Sequence, residues 1–274
     1  MNQQTLLPKV GAYEFMAEPF HCDFRRQLLM GHLGNHMLNA ADYHSNDRGY
    51  GMTYLNTIHK TWVLSRLAIE MNDMPNAYDK FTVETWVDGV MRYFTSRNFK
   101  VSDNKGNIFG YGRSIWAMID TGNRQPTDIL AIRDGLITSY VDKDYPCPIK
   151  KASRVPINMD DVKPVRTLDT YYNDVDVNGH INSVKYIEHI LDLWDIDWYN
   201  TYQLKRFEIA YVAESHQGDK LHFYLQDISD KNSGNEKNFN VLITKTSKKE
   251  PKEVEVVRSC VKFVTLHSQY KIKK

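Results

Sequence analysis

The chain repeats itself once, and this duplication limits its fold more than any other feature. A shift of 140 residues lays Leu64-Ser65-Arg66-Leu67-Ala68-Ile69 on Leu204-Lys205-Arg206-Phe207-Glu208-Ile209, and Asp79-Lys80-Phe81 on Asp219-Lys220-Leu221. Near the end of each copy, Arg113-Ser114-Ile115-Trp116 resembles Arg258-Ser259-Cys260-Val261. Two similar domains are expected, residues 1–145 and 146–274. The stretch Asp120 to Lys163 holds Pro126, Pro146, Pro148 and Pro156 without sustained periodicity, as a connection between copies would.

Each copy has the same order of patterns. In the second, Val184, Ile187, Leu191, Trp194 and Trp198 recur at steps of three and four, which predicts one helix of about four turns. Asn182 and Ser183 precede it as N-cap candidates. Phe207, Ile209, Tyr211 and Ala213 then alternate with polar residues, the period of a strand over Leu204 to Glu214. Lys220 to Gln226, Asn238 to Lys245 and Val254 to Leu266 continue as strands. The first copy predicts a helix near Leu33 to Tyr43 and strands near Trp62 to Met71, Phe81 to Val87, Ser96 to Val101 and Tyr111 to Ile119. Asp103 to Gly106 and Asn232 to Asn235 carry turn residues. A helix with one apolar stripe needs a cover, and an antiparallel sheet curved around it supplies one. The expected fold is α+β: two tandem hotdog domains, each a long helix wrapped by a curved antiparallel sheet.

Composition excludes several classes. The 274 residues are 42% hydrophobic and 25% charged, as in an ordinary globular chain. No apolar run approaches the roughly 20 residues of a membrane helix, so no membrane association is expected. Lys+Arg is 35 against Asp+Glu 34, which argues against bulk-charge binding of nucleic acid. Cys22, Cys147 and Cys260 are odd in number and contain no CxxC pair. That disfavours a disulfide framework or zinc knuckle and fits a reducing cytoplasm. The first residues lack the apolar stretch of a secretory signal, so a cytoplasmic location is expected.

The densest polar cluster is Asp174-Val175-Asp176-Val177-Asn178-Gly179-His180-Ile181-Asn182, just before the second helix. A carboxylate, an amide and an imidazole in one loop supply base, positioner and polariser. A helix start offers backbone N–H groups and a positive dipole end to a developing oxyanion. A loop that merely caps the helix would have a similar composition. The internal comparison tips the balance. Aligning His36 with His180 puts His32 opposite Asp176 and Gly34 opposite Asn178, and the 140-residue shift puts Met74 opposite Glu214 and Pro75 opposite Ser215. On this alignment one copy keeps the polar set and the other is free to hold a substrate tail.

The run Asp176-Val177-Asn178-Gly179-His180-Ile181-Asn182-Ser183-Val184-Lys185-Tyr186-Ile187 resembles the D-V-N-x-H-x-N-N-x-K-Y-I signature of the acyl-acyl carrier protein thioesterases. Trp62-Val63-Leu64-Ser65-Arg66, Glu84-Thr85-Trp86 and Asn123-Arg124-Gln125-Pro126 are similar to that family's W-V-x-x-R, V-E-T-W and T-R-R-P stretches, in the same order. The resemblance spans roughly Phe20 to Val264. It implies a tandem hotdog fold and hydrolysis of the thioester joining a fatty acyl chain to acyl carrier protein, which ends fatty acid synthesis. The N-terminal domain would bind the acyl chain and the C-terminal domain would be catalytic.

Residue by residue, the family's motif carboxylate, amide and imidazole fall on Asp176, Asn178 and His180, and its downstream E-C pair falls on Glu214-Ser215. The serine is a departure, so a papain-like Cys–His pair has no counterpart here. The expected mechanism uses water. Asp176 or Glu214 holds and deprotonates it or attacks directly, Asn178 positions it, and His180 orients a carboxylate or protonates the thiolate. Gly179 and Ser215 are expected to position substrate, with backbone N–H groups near Gly179 and the helix start as the oxyanion hole. No cofactor and no metal are expected. His32 and His36 have ligand spacing on a helix, but no HExxH or supporting carboxylate pattern accompanies them. GxSxG, P-loop and GxGxxG motifs are absent. The expected partner is acyl carrier protein, docked on exposed Lys and Arg, with the chain a monomer or loose homodimer. An acyl-CoA thioesterase and a non-catalytic acyl-binding hotdog are the alternatives. The intact polar set argues against the latter.

Overall fold

The computed structural model describes residues 6–152, 156–157, 162–231, 234–247 and 252–266. The Lys248-Lys249 and Lys271 to Lys274 runs, and part of the Asn232 to Asn235 turn, lie outside the described residues. The chain forms two units, Met1–Leu67 with Asn72–Lys151, and Ala68–Met71 with Ala152–Lys274.

The first unit holds β1 (Gly11–Met16), α1 (Met30–Asp47), the single turn α2 (Met52–Leu55), β2 (Lys60–Met71), β3 (Lys80–Val90), β4 (Phe94–Asp103) and β5 (Ile108–Asp120), with sheet order β1-β3-β4-β5-β2. Along α1, Met30, Leu33, Met37, Ala40 and His44 are buried at steps of three and four, so one face of the helix lies on the sheet. Gly112 on β5 permits the approach: a Cβ there would sit 2.4 Å from Met37 Cε. The β4–β5 turn follows its sequence. Asp103 Oδ1 accepts from the N–H groups of Lys105 (2.8 Å) and Asn107 (2.8 Å), and Gly106 takes φ +86°.

The second unit repeats this plan with β6 (Arg166–Asp169), α3 (Ser183–Leu191), α4 (Ile196–Thr201), β7 (Tyr202–Tyr211), β8 (Lys220–Asp227), β9 (Glu236–Thr246) and β10 (Val254–Thr265). Its order, β6-β8-β9-β10-β7, is that of the first unit. The paired strands for which a register is defined are antiparallel in both units. Each unit is thus a hotdog, a helix laid on a five-stranded sheet. The sequence pattern overlooks β1 and β6, which are short edge strands with one buried residue between them.

The four-turn helix expected from Val184 to Trp198 is two helices. Asp195 accepts from the Trp198 N–H (2.8 Å) and starts α4 afresh. Trp194, in the break, packs its ring on Phe239 and Phe263, with centroids 5.0 and 4.8 Å away. The apolar spacing survives because both pieces cover the same aromatic core.

Candidate active site

The polar loop of the second unit follows a 3-10 turn, Tyr172–Asp174, and is closed by a bridge between Val175 and Ile181. The Asp176 N–H donates to the His180 carbonyl (2.8 Å), and the Gly179 N–H to the Asp176 carbonyl (3.0 Å). Gly179 has φ +81°, while nothing lies within 4 Å of where its Cβ would be, so backbone conformation and not crowding favours glycine. Asp176 Oδ1 accepts from the N–H groups of Asn178 (2.8 Å) and His180 (3.2 Å). The loop is tied to the segment after β7 by the Ile181 N–H on the Ser215 carbonyl, 2.8 Å. Lys245 Nζ holds that segment from the other side, donating to the Glu214 carbonyl (2.7 Å) and to Asp219 Oδ2 (3.0 Å). The result places His180 Nε2 3.3 Å from Glu214 Oε2, with both side chains partly open to solvent. The His216 ring stands edge-on to His180 with centroids 5.0 Å apart. Asn178 is exposed at the turn.

The first unit contains the same loop, and its register corrects the sequence alignment. Residues Cys22 to Met30 carry the equivalent bridge, Cys22 to Leu28. The Asp23 N–H donates to the Gln27 carbonyl (2.7 Å), the Arg26 N–H to the Asp23 carbonyl (2.8 Å), and the Leu28 N–H to the Pro75 carbonyl (2.9 Å). Asp23 Oδ1 accepts from the N–H groups of Arg25 (2.8 Å) and Gln27 (3.0 Å). Arg26 takes φ +65° where the second unit has Gly179. Asp176 is therefore matched by Asp23, not His32, and His180 by Gln27, not His36. Asn178 is matched by Arg25. Glu214 and Ser215 face Met74 and Pro75 as the 140-residue shift places them. The loops differ by 153 residues and the strands by 140, because the first unit's helical segment is longer. No single shift aligns both.

This register changes what the comparison of copies implies. The motif carboxylate is present in both units and does the same backbone work in both. What only the second unit has is Asn178, His180 and Glu214. Most of the backbone N–H groups expected as an oxyanion hole near Gly179 and the helix start have other partners. The N–H groups of Asn178, Gly179, His180, Ile181, Asn182, Val184 and Lys185 are all committed, the last two to Asn182 at the helix N-cap. The Asn178 side-chain amide is the donor that the turn presents outward.

Ser215 is 1% exposed. The buried Tyr186 phenol is beside it, pushed up to about 12 by burial. The two buried hydroxyls are each other's polar neighbours. The Ser215 side chain is closed off from solvent, and its carbonyl holds the loop. Cys22, Cys147 and Cys260 are free thiols, and burial raises each, Cys260 to about 11. None is a reactive thiolate. Among the other motifs, Glu84 pairs with Lys100 and accepts from the Tyr145 hydroxyl (2.8 Å), and Trp86 is fully buried. Asp120 Oδ1 accepts from Gly122 and Asn123 N–H groups to shape the turn before Pro126. These motifs build the first unit.

Fold and site define a tandem hotdog protein with an imidazole–carboxylate–amide set confined to one half. Residues 11–135 match the acyl-ACP thioesterase N-terminal domain, and residues 158–257 the acyl-ACP thioesterase C-terminal domain. An acyl-ACP thioesterase structure from Bacteroides thetaiotaomicron is 49% identical, with TM-score 0.83, over 93% of this chain and 98% of that one. The chain belongs to the acyl-ACP thioesterase family. A 12:0-ACP thioesterase from Umbellularia californica shares the fold, with TM-score 0.81 at 19% identity over 94% of this chain and 95% of that one. Among curated relatives, an acyl-[acyl-carrier-protein] hydrolase of Cuphea viscosissima is 30% identical over 58% of this chain and 39% of its own length. A palmitoyl-acyl carrier protein thioesterase of Cuphea hookeriana is 29% identical over 69% of this chain and 46% of its own. The chain thus spans less than half the length of these two plant relatives.

Proposed function

We propose that this protein hydrolyses the thioester of fatty acyl-acyl carrier protein, releasing free fatty acid. The observation that carries the proposal is the contact of His180 with Glu214, on a loop scaffold that the first unit shares without that chemistry. Glu214 draws the proton from a water that attacks the thioester carbonyl. The Asn178 amide donates to the developing oxyanion, and the proton that Glu214 takes from water crosses its contact with His180, which delivers it to the leaving thiolate and returns both groups to their starting state. Asp176 is a positioning residue: its carboxylate fixes the turn that presents Asn178 and His180. The acyl carrier protein is the partner, reached by exposed basic side chains, and the cytoplasm is the site of action. An acyl-CoA thioesterase would use the same four residues. Steady-state hydrolysis of matched acyl-carrier-protein and CoA thioesters separates the two, and comparable kcat/KM on both handles would contradict the carrier-protein assignment.

The acyl chain is assigned to the first unit. Between α1 and its sheet lies a cavity of about 50 Å³ lined by Ala41, Trp62, Trp116 and Ile137 together with Arg97. Arg97 is buried, and its Nη1 donates to Thr85 Oγ1 (3.2 Å). A buried guanidinium is a poor neighbour for methylenes, so it sets where an apolar chain stops. Arg97→Leu should move the chain-length optimum upward, and an unchanged profile would remove the cavity from the acyl path.

A further inference from the structure

The first unit carries a cluster that the proposed hydrolysis does not use. Glu18, His21 and His36 come from the residue before the 3-10 turn, the end of that turn and the second turn of α1. Their ligand atoms lie within 4.8 Å of one another. Glu18 Oε2 is 3.2 Å from His21 Nδ1 and 3.6 Å from His36 Nε2. A tetrahedral ion held at about 2.0–2.1 Å has ligand–ligand edges of about 3.3 Å, close to both separations. The sequence suggested no carboxylate for His36, because Glu18 reaches it only through the fold.

The two-unit comparison shows which part of this cluster belongs to the scaffold. With the loop register, Glu18, His21 and His36 correspond to Tyr171, Asp174 and His189. His189 Nε2 lies 3.7 Å from Asp174 Oδ1, so an imidazole–carboxylate contact between helix and turn recurs in the hotdog plan. The first unit alone adds a third ligand. His36 Nε2 is buried, and Glu18 Oε2 at 3.6 Å lies beyond an ordinary hydrogen-bond length from it, a separation that an ion between the two would bridge. Phe15 and Phe81 back the ring, with centroids 4.6 and 5.5 Å away. Glu18 and His21 are partly exposed, which leaves an entry path.

We infer that Glu18, His21 and His36 form a binding site for one divalent transition-metal ion of the zinc class. Two imidazole nitrogens and one carboxylate oxygen supply three ligands, and the fourth position faces solvent. The ion ties the segment before α1 to the helix.

The test uses tag-free, chelator-stripped full-length protein and Zn²⁺ in isothermal titration calorimetry, with Co²⁺ absorption as the geometric readout. Expected are one Zn²⁺ per chain, a rise in thermal midpoint on loading, and the visible d–d bands of four- or five-coordinate Co²⁺. Glu18→Gln and His21→Ala, at partly exposed positions that leave the fold intact, should each weaken Zn²⁺ at least about tenfold and abolish the Co²⁺ bands. Asp174→Asn should leave both unchanged. Absence of stoichiometric binding, or binding that survives Glu18→Gln and His21→Ala, would overturn the site and mark weak chelation by scattered imidazoles.

Discussion

The loops Cys22–Met30 and Val175–Ser183 have the same backbone hydrogen bonds and different side chains, and the difference separates scaffold from chemistry. Asp23 and Asp176 each accept two N–H groups two and four residues ahead. Only the second loop offers an amide and an imidazole, Asn178 and His180 against Arg25 and Gln27, and only there does the tethered segment offer a carboxylate, Glu214 against Met74. A residue kept in both copies is needed by the fold. A residue found in one copy is available for the reaction. By that rule the proposed mechanism gives Asp176, the first acid of the family motif, a positioning role and leaves the reaction to Glu214 and His180.

Changes that strike only the second unit's own residues should have the largest effect. Glu214→Gln and His180→Ala should each lower kcat by about 100-fold or more, the scale of a lost acid–base group, with the circular dichroism spectrum and thermal midpoint nearly unchanged. Near-normal turnover in either variant would dissolve the distinction between the loops. Asn178→Ala should follow, with a loss of about tenfold or more in kcat and a smaller change in KM, because an oxyanion donor acts in the transition state. A change in KM alone would make the amide a binding group.

The shared carboxylates should behave alike in stability and differently in catalysis. Asp23→Ala and Asp176→Ala each orphan two backbone N–H groups and should each cost about 1–3 kcal/mol, at the lower end because water reaches these loops. Denaturant titration measures this. Asp23→Ala should leave kcat within about twofold if acyl binding is saturated, whereas Asp176→Ala should lose turnover. Equal catalytic damage from both would show that loop geometry in either unit limits the rate. The smallest effect belongs to Ser215→Ala. Its hydroxyl is buried, and the loop bond runs through its carbonyl, so activity should remain within about threefold. A trapped acyl-serine in rapid-quench experiments would contradict this placement.

Much of this was legible in the sequence and part of it was not. Periodicity marked α1 and eight of the strands because their apolar residues recur at helical spacing in the first and run through or alternate along the second. It overlooked β1 and β6, whose few residues face solvent at the sheet edge, and it fused α3 with α4 because Trp194 and Trp198 keep the apolar spacing across the break. The motif and the strand offset brought Asp176, Asn178, His180 and Glu214 forward as one set. The role of Asp176 was hidden, because an alignment on histidines passed over Asp23. Only the hydrogen bonds reveal that the two aspartates are counterparts. The Glu18–His21–His36 cluster was hidden for a related reason: the turn before α1 folds back on the helix and brings together residues with no motif spacing.

The most direct test of the account is kcat for Asp176→Asn beside Glu214→Gln on one saturating acyl-carrier-protein substrate. Asparagine keeps an Oδ1 able to accept the Asn178 and His180 N–H groups but cannot act as a base or nucleophile. If Asp176 positions and Glu214 reacts, Asp176→Asn retains about a tenth or more of wild-type kcat, while Glu214→Gln falls to about a hundredth or less. The reverse order, with Asp176→Asn inactive and Glu214→Gln active, would return the chemistry to Asp176 and contradict the division between scaffold and site.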